Sequence, residues 1–130
     1  MFPQEFRPVC RYVVKDGEPI EVEILDQELW RQPGAVYARI VDEVIVYIEA
    51  TDGCLSRRLE AHLRNLPTSM IGRAPQFRRW AEGKTITVVA YCPAPVQVLG
   101  REIKIHHAVK AALIAEFQRR GAKDWFVTST

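Results

Sequence analysis

Clusters and alternations of apolar residues mark most of the strands in this chain. Residues 9–15 (VCRYVVK) and 20–25 (IEVEIL) gather β-branched side chains on either side of Asp16-Gly17. That dipeptide favours a tight hairpin turn because both positions accept positive φ. The stretch DQELWRQ reads as a short helix stopped by Pro33-Gly34. Two further strand-like runs, AVYARIV and VIVYIEA, are joined by Asp42-Glu43, which predicts a tight antiparallel pair. Thr51-Asp52-Gly53 reads as a turn. The segment CLSRRLEAHLRNL then carries Leu55, Leu59, His62, Leu63 and Leu66 at helical spacing, the mark of an amphipathic helix.

Pro67 and Gly72 bound a loop, and APQFRRWAEG reads as a second short helix with Phe77 and Trp80 on one side. TITVVAYC is the clearest strand. PAPVQVLG carries two prolines and reads as a connection or an edge strand. The run IKIHHAVKAALIAEFQRRG predicts a long helix with Ile105, Ala108, Val109, Ala112, Leu113 and Phe117 along one stripe, ended by Gly121 as a C-cap. A short strand, DWFVTS, closes the chain. This order predicts an α+β fold, a small mainly antiparallel sheet flanked by helices. One domain is expected over residues 1–130, with 1–32 as an N-terminal hairpin and short helix and 33–128 as the core.

Composition narrows the setting. A hydrophobic content of 48% and a charged content of 26% are those of a globular domain. No apolar run approaches the ~20 residues that span a bilayer, and MFPQEFRPVC lacks the layout of a signal peptide. Cys10, Cys54 and Cys92 are odd in number and widely spaced, which argues against a disulfide framework or a cysteine zinc site and fits a reducing cytoplasm. Charge is divided along the chain. Residues 1–30 hold three basic against seven acidic side chains, whereas 57–123 hold thirteen basic against four acidic. A basic block of this kind is either a footprint for a polyanion such as nucleic acid or a scatter of solvated side chains over several faces.

Specific residues carry the reading further. Ala35-Val36-Tyr37, and Tyr47-Ile48-Glu49 ten residues on from Tyr37, resemble the paired GIY and YIG strands of GIY-YIG nucleases. Arg58-Leu59-Glu60-Ala61-His62 resembles the R-x-x-x-H turn of that family's first core helix, and the helix with Leu113-Ile114 resembles the one bearing its metal-binding glutamate. The resemblance implies a nuclease fold in which a divalent metal, usually magnesium, sits on the helix carboxylate and offsets charge building on a scissile phosphate. It implies that Tyr37 and Tyr47 present hydroxyls to the phosphate, that Arg58 clamps it and that His62 assists one turn further on. Arg57 is an adjacent candidate for the clamp.

The chain departs from the pattern at the metal. The position of the family's glutamate is Lys110, and an ammonium has no lone pair to offer magnesium. Glycine is replaced by Ala35 in the first motif, beside Gly34, and by Glu49 in the second. The asparagine usually found after the helix falls near Trp125-Phe126-Val127, where no amide stands. Three arrangements follow: Glu49 supplies a relocated metal ligand, Lys110 pairs with Glu49 and leaves a site without metal, or Lys110 meets a phosphate as a point charge. Glu116 lies about 240° around the helix from Lys110 and should face elsewhere. His106 and His107 are neighbours on a helix and so should point apart, unlike an i, i+4 chelating pair; His106 shares a face with Lys110. Arg78 and Arg79, between Phe77 and Trp80, are either nucleic-acid contacts or solvated side chains on a short helix.

The expected function is therefore that of a GIY-YIG-fold protein, impaired in cleavage, that binds nucleic acid, DNA in the first instance, through Arg57, Arg58, Arg78, Arg79 and Lys110. The alternatives are an active magnesium-dependent DNA endonuclease with a rearranged ligand set, and a non-enzymatic protein-interaction or inhibitor module.

Overall fold

Runs rich in Val, Ile and Tyr form the strands, since branched and aromatic side chains fit a pleated, half-buried surface. A computed structural model of the chain describes residues 3–13, 21–64 and 83–120, without the side chains of residues 46 and 61–64. Among the described residues the elements are β1 (Arg7–Val13), β2 (Val22–Ile24), α1 (Gln27–Arg31), β3 (Pro33–Val41), β4 (Val44–Cys54), α2 (Leu55–Arg64), β5 (Thr85–Tyr91), β6 (Val96–Val98), β7 (Arg101–Ile103) and α3 (His106–Arg119). The fold is α+β, as the pattern predicts.

Five strands form one sheet in the order β2-β1-β5-β3-β4, and every pairing is antiparallel. The N-terminal hairpin is built into this sheet, because β1 pairs with β5 from Arg7↔Ala90 to Val13↔Thr85. The sheet is buried on both faces. One face packs Tyr12, Tyr37, Tyr47 and Val88 under Leu29 and Trp30 of α1 and Leu55 and Leu59 of α2. The other packs Val36, Ala38, Ile48 and Val89 under Leu113, Ile114 and Phe117 of α3. A separate two-stranded hairpin, β6-β7, lies between β5 and α3 in sequence.

Two local features aim the side chains that matter below. Asp42 and Glu43 both have positive φ (50° and 64°), the backbone of a two-residue hairpin turn that matches strand twist. The register then slips from Ile40↔Ile45 to Arg39↔Tyr47, so β4 carries one extra residue in a bulge. Beyond the bulge, Tyr37 stands opposite Glu49 and Arg39 opposite Tyr47.

Three features differ from the sequence pattern. Thr51-Asp52-Gly53 is not a turn: β4 runs on to Cys54, because β3 begins at Pro33 and offers Ala35 to Thr51 and Pro33 to Cys54. The last helix begins at His106, and Arg101–Ile103 is a strand paired with Val96–Val98 about Leu99 and Gly100, both at positive φ (52° and 74°). Within α3, Ala108 and Ala112 are exposed; the inward line is His106, Val109, Lys110, Leu113, Ile114 and Phe117, again at helical spacing. The Asp16-Gly17 turn, the helix about Phe77 and Trp80 with Arg78 and Arg79, Gly121 and the DWFVTS strand lie outside the described residues.

Candidate functional site

Alternation along β3 and β4 puts Tyr37, Arg39, Tyr47 and Glu49 on one face, the face covered by α1 and α2. Leu55 and Leu59, both fully buried, anchor α2 on that face. Arg58, beside Leu59, comes out at the margin with 45% of its side chain exposed, and its Nη2 lies 3.9 Å from Glu49 Oε2. Arg57 is exposed on the same helix, while the side chain of His62 lies outside the described residues. On the opposite face α3 runs beside the edge strand β4, and the long stem of Lys110 carries its ammonium to the same carboxylate.

Glu49 is the centre of the arrangement. Its side chain is 8% exposed, and Lys110 Nζ donates to Oε1 at 2.5 Å. The backbone N–H of Ala50 also donates to Oε1 (3.0 Å), and the Tyr47 hydroxyl donates to Oε2 (3.0 Å). Of the three arrangements open in the sequence, the geometry is that of the Lys110–Glu49 pair.

The two tyrosines are set deep. Tyr37 is fully buried, and its hydroxyl has no hydrogen-bond partner within ordinary geometry, although the Arg58 guanidinium is its near neighbour. Burial pushes the Tyr37 hydroxyl above the usual phenol range, opposed by the charges of Arg39 and Arg58. Burial pushes Tyr47 up as well, and the negative charge of Glu49 adds to the shift. Both hydroxyls therefore hold their protons at neutral pH.

Arg39 is the functional candidate that sequence reasoning missed. It is 1% exposed, and its guanidinium carbon lies 5.1 Å from the centre of the Tyr47 ring. A signal was present: Arg39 follows Tyr37 by two residues, so a strand must turn both to one side. Three cations surround the two tyrosines: Arg39 lies against the Tyr47 ring, and Arg58 and Lys110 both reach the carboxylate of Glu49.

These residues do not fit magnesium at the position the resemblance implies. Magnesium asks for near-octahedral oxygen ligands, and the carboxylate oxygen that could serve is bonded to an ammonium.

The histidine expectation is corrected. His106 and His107 do not point apart: His106 Nε2 lies 2.6 Å and His107 Nε2 2.8 Å from the same Asp52 Oδ1, with ring centres 4.4 Å apart. They open α3, with no helical turn before them, and Cβ bonds lean toward the helix N-terminus, so both rings can swing onto the end of β4. Asp52 is held below the usual carboxylate range by its hydrogen bonds to His106 and then His107. Glu116, as expected, faces elsewhere, bonded to Arg119 and Arg120.

The described residues thus form an antiparallel sheet with helices on both faces and a charged cluster at its edge. The structure is similar to that of "Restriction endonuclease HPY188I in complex with product DNA", with a TM-score of 0.53 and 14% sequence identity over 93% of this chain and 78% of that one. At that identity the likeness concerns the fold. No family model and no curated protein matches the sequence.

Proposed function

We propose that this protein is a degenerate relative of the GIY-YIG nucleases that binds DNA without magnesium-dependent cleavage at the ancestral position. The observation that carries the reading is the Lys110–Glu49 pair on the face of Tyr37, Tyr47 and Arg58. It sets an ammonium, neutralised by Glu49, where the family has a metal carboxylate, and so leaves magnesium without its ligand. A phosphate approaching the α2 margin meets Arg58 first, since that guanidinium is half exposed and the tyrosines lie behind it. Arg57, exposed on the same helix, extends the contact along the backbone, and such contacts are electrostatic and insensitive to sequence. The fold shared with a DNA-bound endonuclease supports DNA over other polyanions.

The test joins binding to cutting. Fluorescence anisotropy with a labelled duplex at low salt should show binding that weakens steeply as salt rises, and Arg58→Ala should weaken it about tenfold. Plasmid incubated with magnesium or manganese should stay intact. Robust cutting abolished by Tyr37→Phe or Arg58→Ala would overturn the impaired reading in favour of an endonuclease with a rearranged ligand set. Failure to bind any duplex or single strand at low salt would favour a protein-interaction module. The β6-β7 hairpin is the observation behind that second reading, because Val96, Val98, Leu99 and Ile103 are all exposed on it and Leu99 at its tip is 99% exposed.

A further inference from the structure

We propose that Asp52, His106 and His107 form a binding site for a divalent transition metal of the zinc class, distinct from the magnesium position that Lys110 occupies. Their ligand atoms all lie within 4.8 Å of one another. Two imidazole nitrogens and one carboxylate oxygen make a borderline donor set, suited to Zn2+, Co2+ or Ni2+ and poorly suited to the all-oxygen preference of magnesium or calcium. Three protein ligands leave at least one position for water or a ligand oxygen, the arrangement of zinc sites that do chemistry or bind anions.

The site is pre-built on one side and open on the other. The His106 side chain is 5% exposed and fixed under the start of α3, whereas those of His107 and Asp52 are 62% and 79% exposed, so an ion can enter from solvent. Bonds of ~2.0–2.1 Å to a tetrahedral zinc ion place its ligands roughly 3.3 Å apart. The present separations of 2.6 and 2.8 Å need open by only roughly half an ångström, which rotation of the exposed Asp52 carboxylate can supply. The positive end of the α3 dipole opposes a cation here only weakly beside three coordinate bonds.

Asp52 lies three residues beyond Glu49 on β4, and His106 one turn before Lys110 on α3. A bound ion would therefore sit roughly 6 Å along the helix from the Lys110–Glu49 pair. Binding needs only these three side chains, so the inference stands apart from the DNA-binding reading.

The test uses the full chain, free of affinity tag and stripped with a chelator. Calorimetry with Zn2+ should give one site per chain, and Co2+ should give the visible d–d absorption of a low-coordinate nitrogen–oxygen site. Millimolar magnesium should not compete. Asp52→Asn and His107→Ala alter exposed side chains and should fold with unchanged circular dichroism, yet each should weaken binding by about tenfold or more. Metal affinity unchanged in both variants, or no binding at all, would reduce the cluster to a hydrogen-bonded clasp between β4 and α3 and overturn the proposal. A thiolate-to-cobalt charge-transfer band would place the metal on Cys54 or Cys92 and overturn it equally.

Discussion

At the scale of single residues, the character of the site turns on whether one buried charge has a partner. Glu49 stands where the resembled family has glycine, and an unpaired carboxylate that is 8% exposed would be costly to keep ionised. Lys110 answers it from another element, and Tyr47 and the Ala50 N–H satisfy further lone pairs. Lys110→Met should therefore destabilise the fold by about 3 kcal/mol in urea unfolding, because it strands the carboxylate. Adding Glu49→Gln to Lys110→Met should recover much of that loss, whereas simple additivity of the two changes would show that the pair is not coupled. Sequence made both residues conspicuous only through the resemblance, which sets Lys110 against a carboxylate and Glu49 against a glycine. Their contact spans sixty-one positions, and no local pattern reports a distance of that kind.

At the scale of elements, the placement of β1 decides how much of the chain is core. Periodicity and the Asp16-Gly17 signal made the N-terminal hairpin legible, and it read naturally as an extension to residues 33–128. Pairing to β5 makes β1 an interior strand of the sheet, with β2 at its edge and Val9, Cys10 and Tyr12 buried at 0–3% exposure. Deleting residues 1–26 should then abolish cooperative thermal unfolding followed by circular dichroism and leave aggregated protein, since it bares the edge of β5 and removes part of the core. A soluble, cooperatively melting fragment would show instead that the hairpin is dispensable. The ends of elements were less legible than their existence. The β4 strand outlasts its Thr-Asp-Gly sequence because β3 offers it partners, and tertiary pairing overrides a turn propensity worth a few tenths of a kilocalorie per residue.

At the scale of the whole molecule, the core keeps several acidic protons that an unfolded chain would release. Burial pushes the Cys10 thiol from 9.0 up to about 12, and pushes the Tyr12, Tyr37 and Tyr47 hydroxyls upward too. A raised folded value means that the stabilisation is complete below the unfolded value and is lost as pH climbs toward the folded one. For Cys10 the window is pH 9 to about 12, with a limiting slope of about 1.4 kcal/mol per pH unit. Urea midpoints should fall steadily between pH 9 and 11, and Cys10→Ala should flatten that fall while leaving the tyrosine contribution. An unchanged slope would show that Cys10 has no share in it. The charge division along the chain also changes meaning in three dimensions, because part of the basic block is paired: Lys84 with Asp42, Lys110 with Glu49, and Arg119 and Arg120 with Glu116.

The opening pattern of apolar positions was enough to determine the α+β class, the β3-β4 pair with its two tyrosines and the helix that carries Arg58, because strand and helix periods are set by local backbone geometry. Setting Lys110 against a metal carboxylate rests on the resemblance to GIY-YIG nucleases, not on that pattern. Only the tertiary structure decided that Lys110 is neutralised by Glu49, that Arg39 belongs to the tyrosine face, and that two neighbouring histidines close on Asp52. Each of those depends on register and on which helix end meets which strand end, and these are determined by packing across the whole sheet.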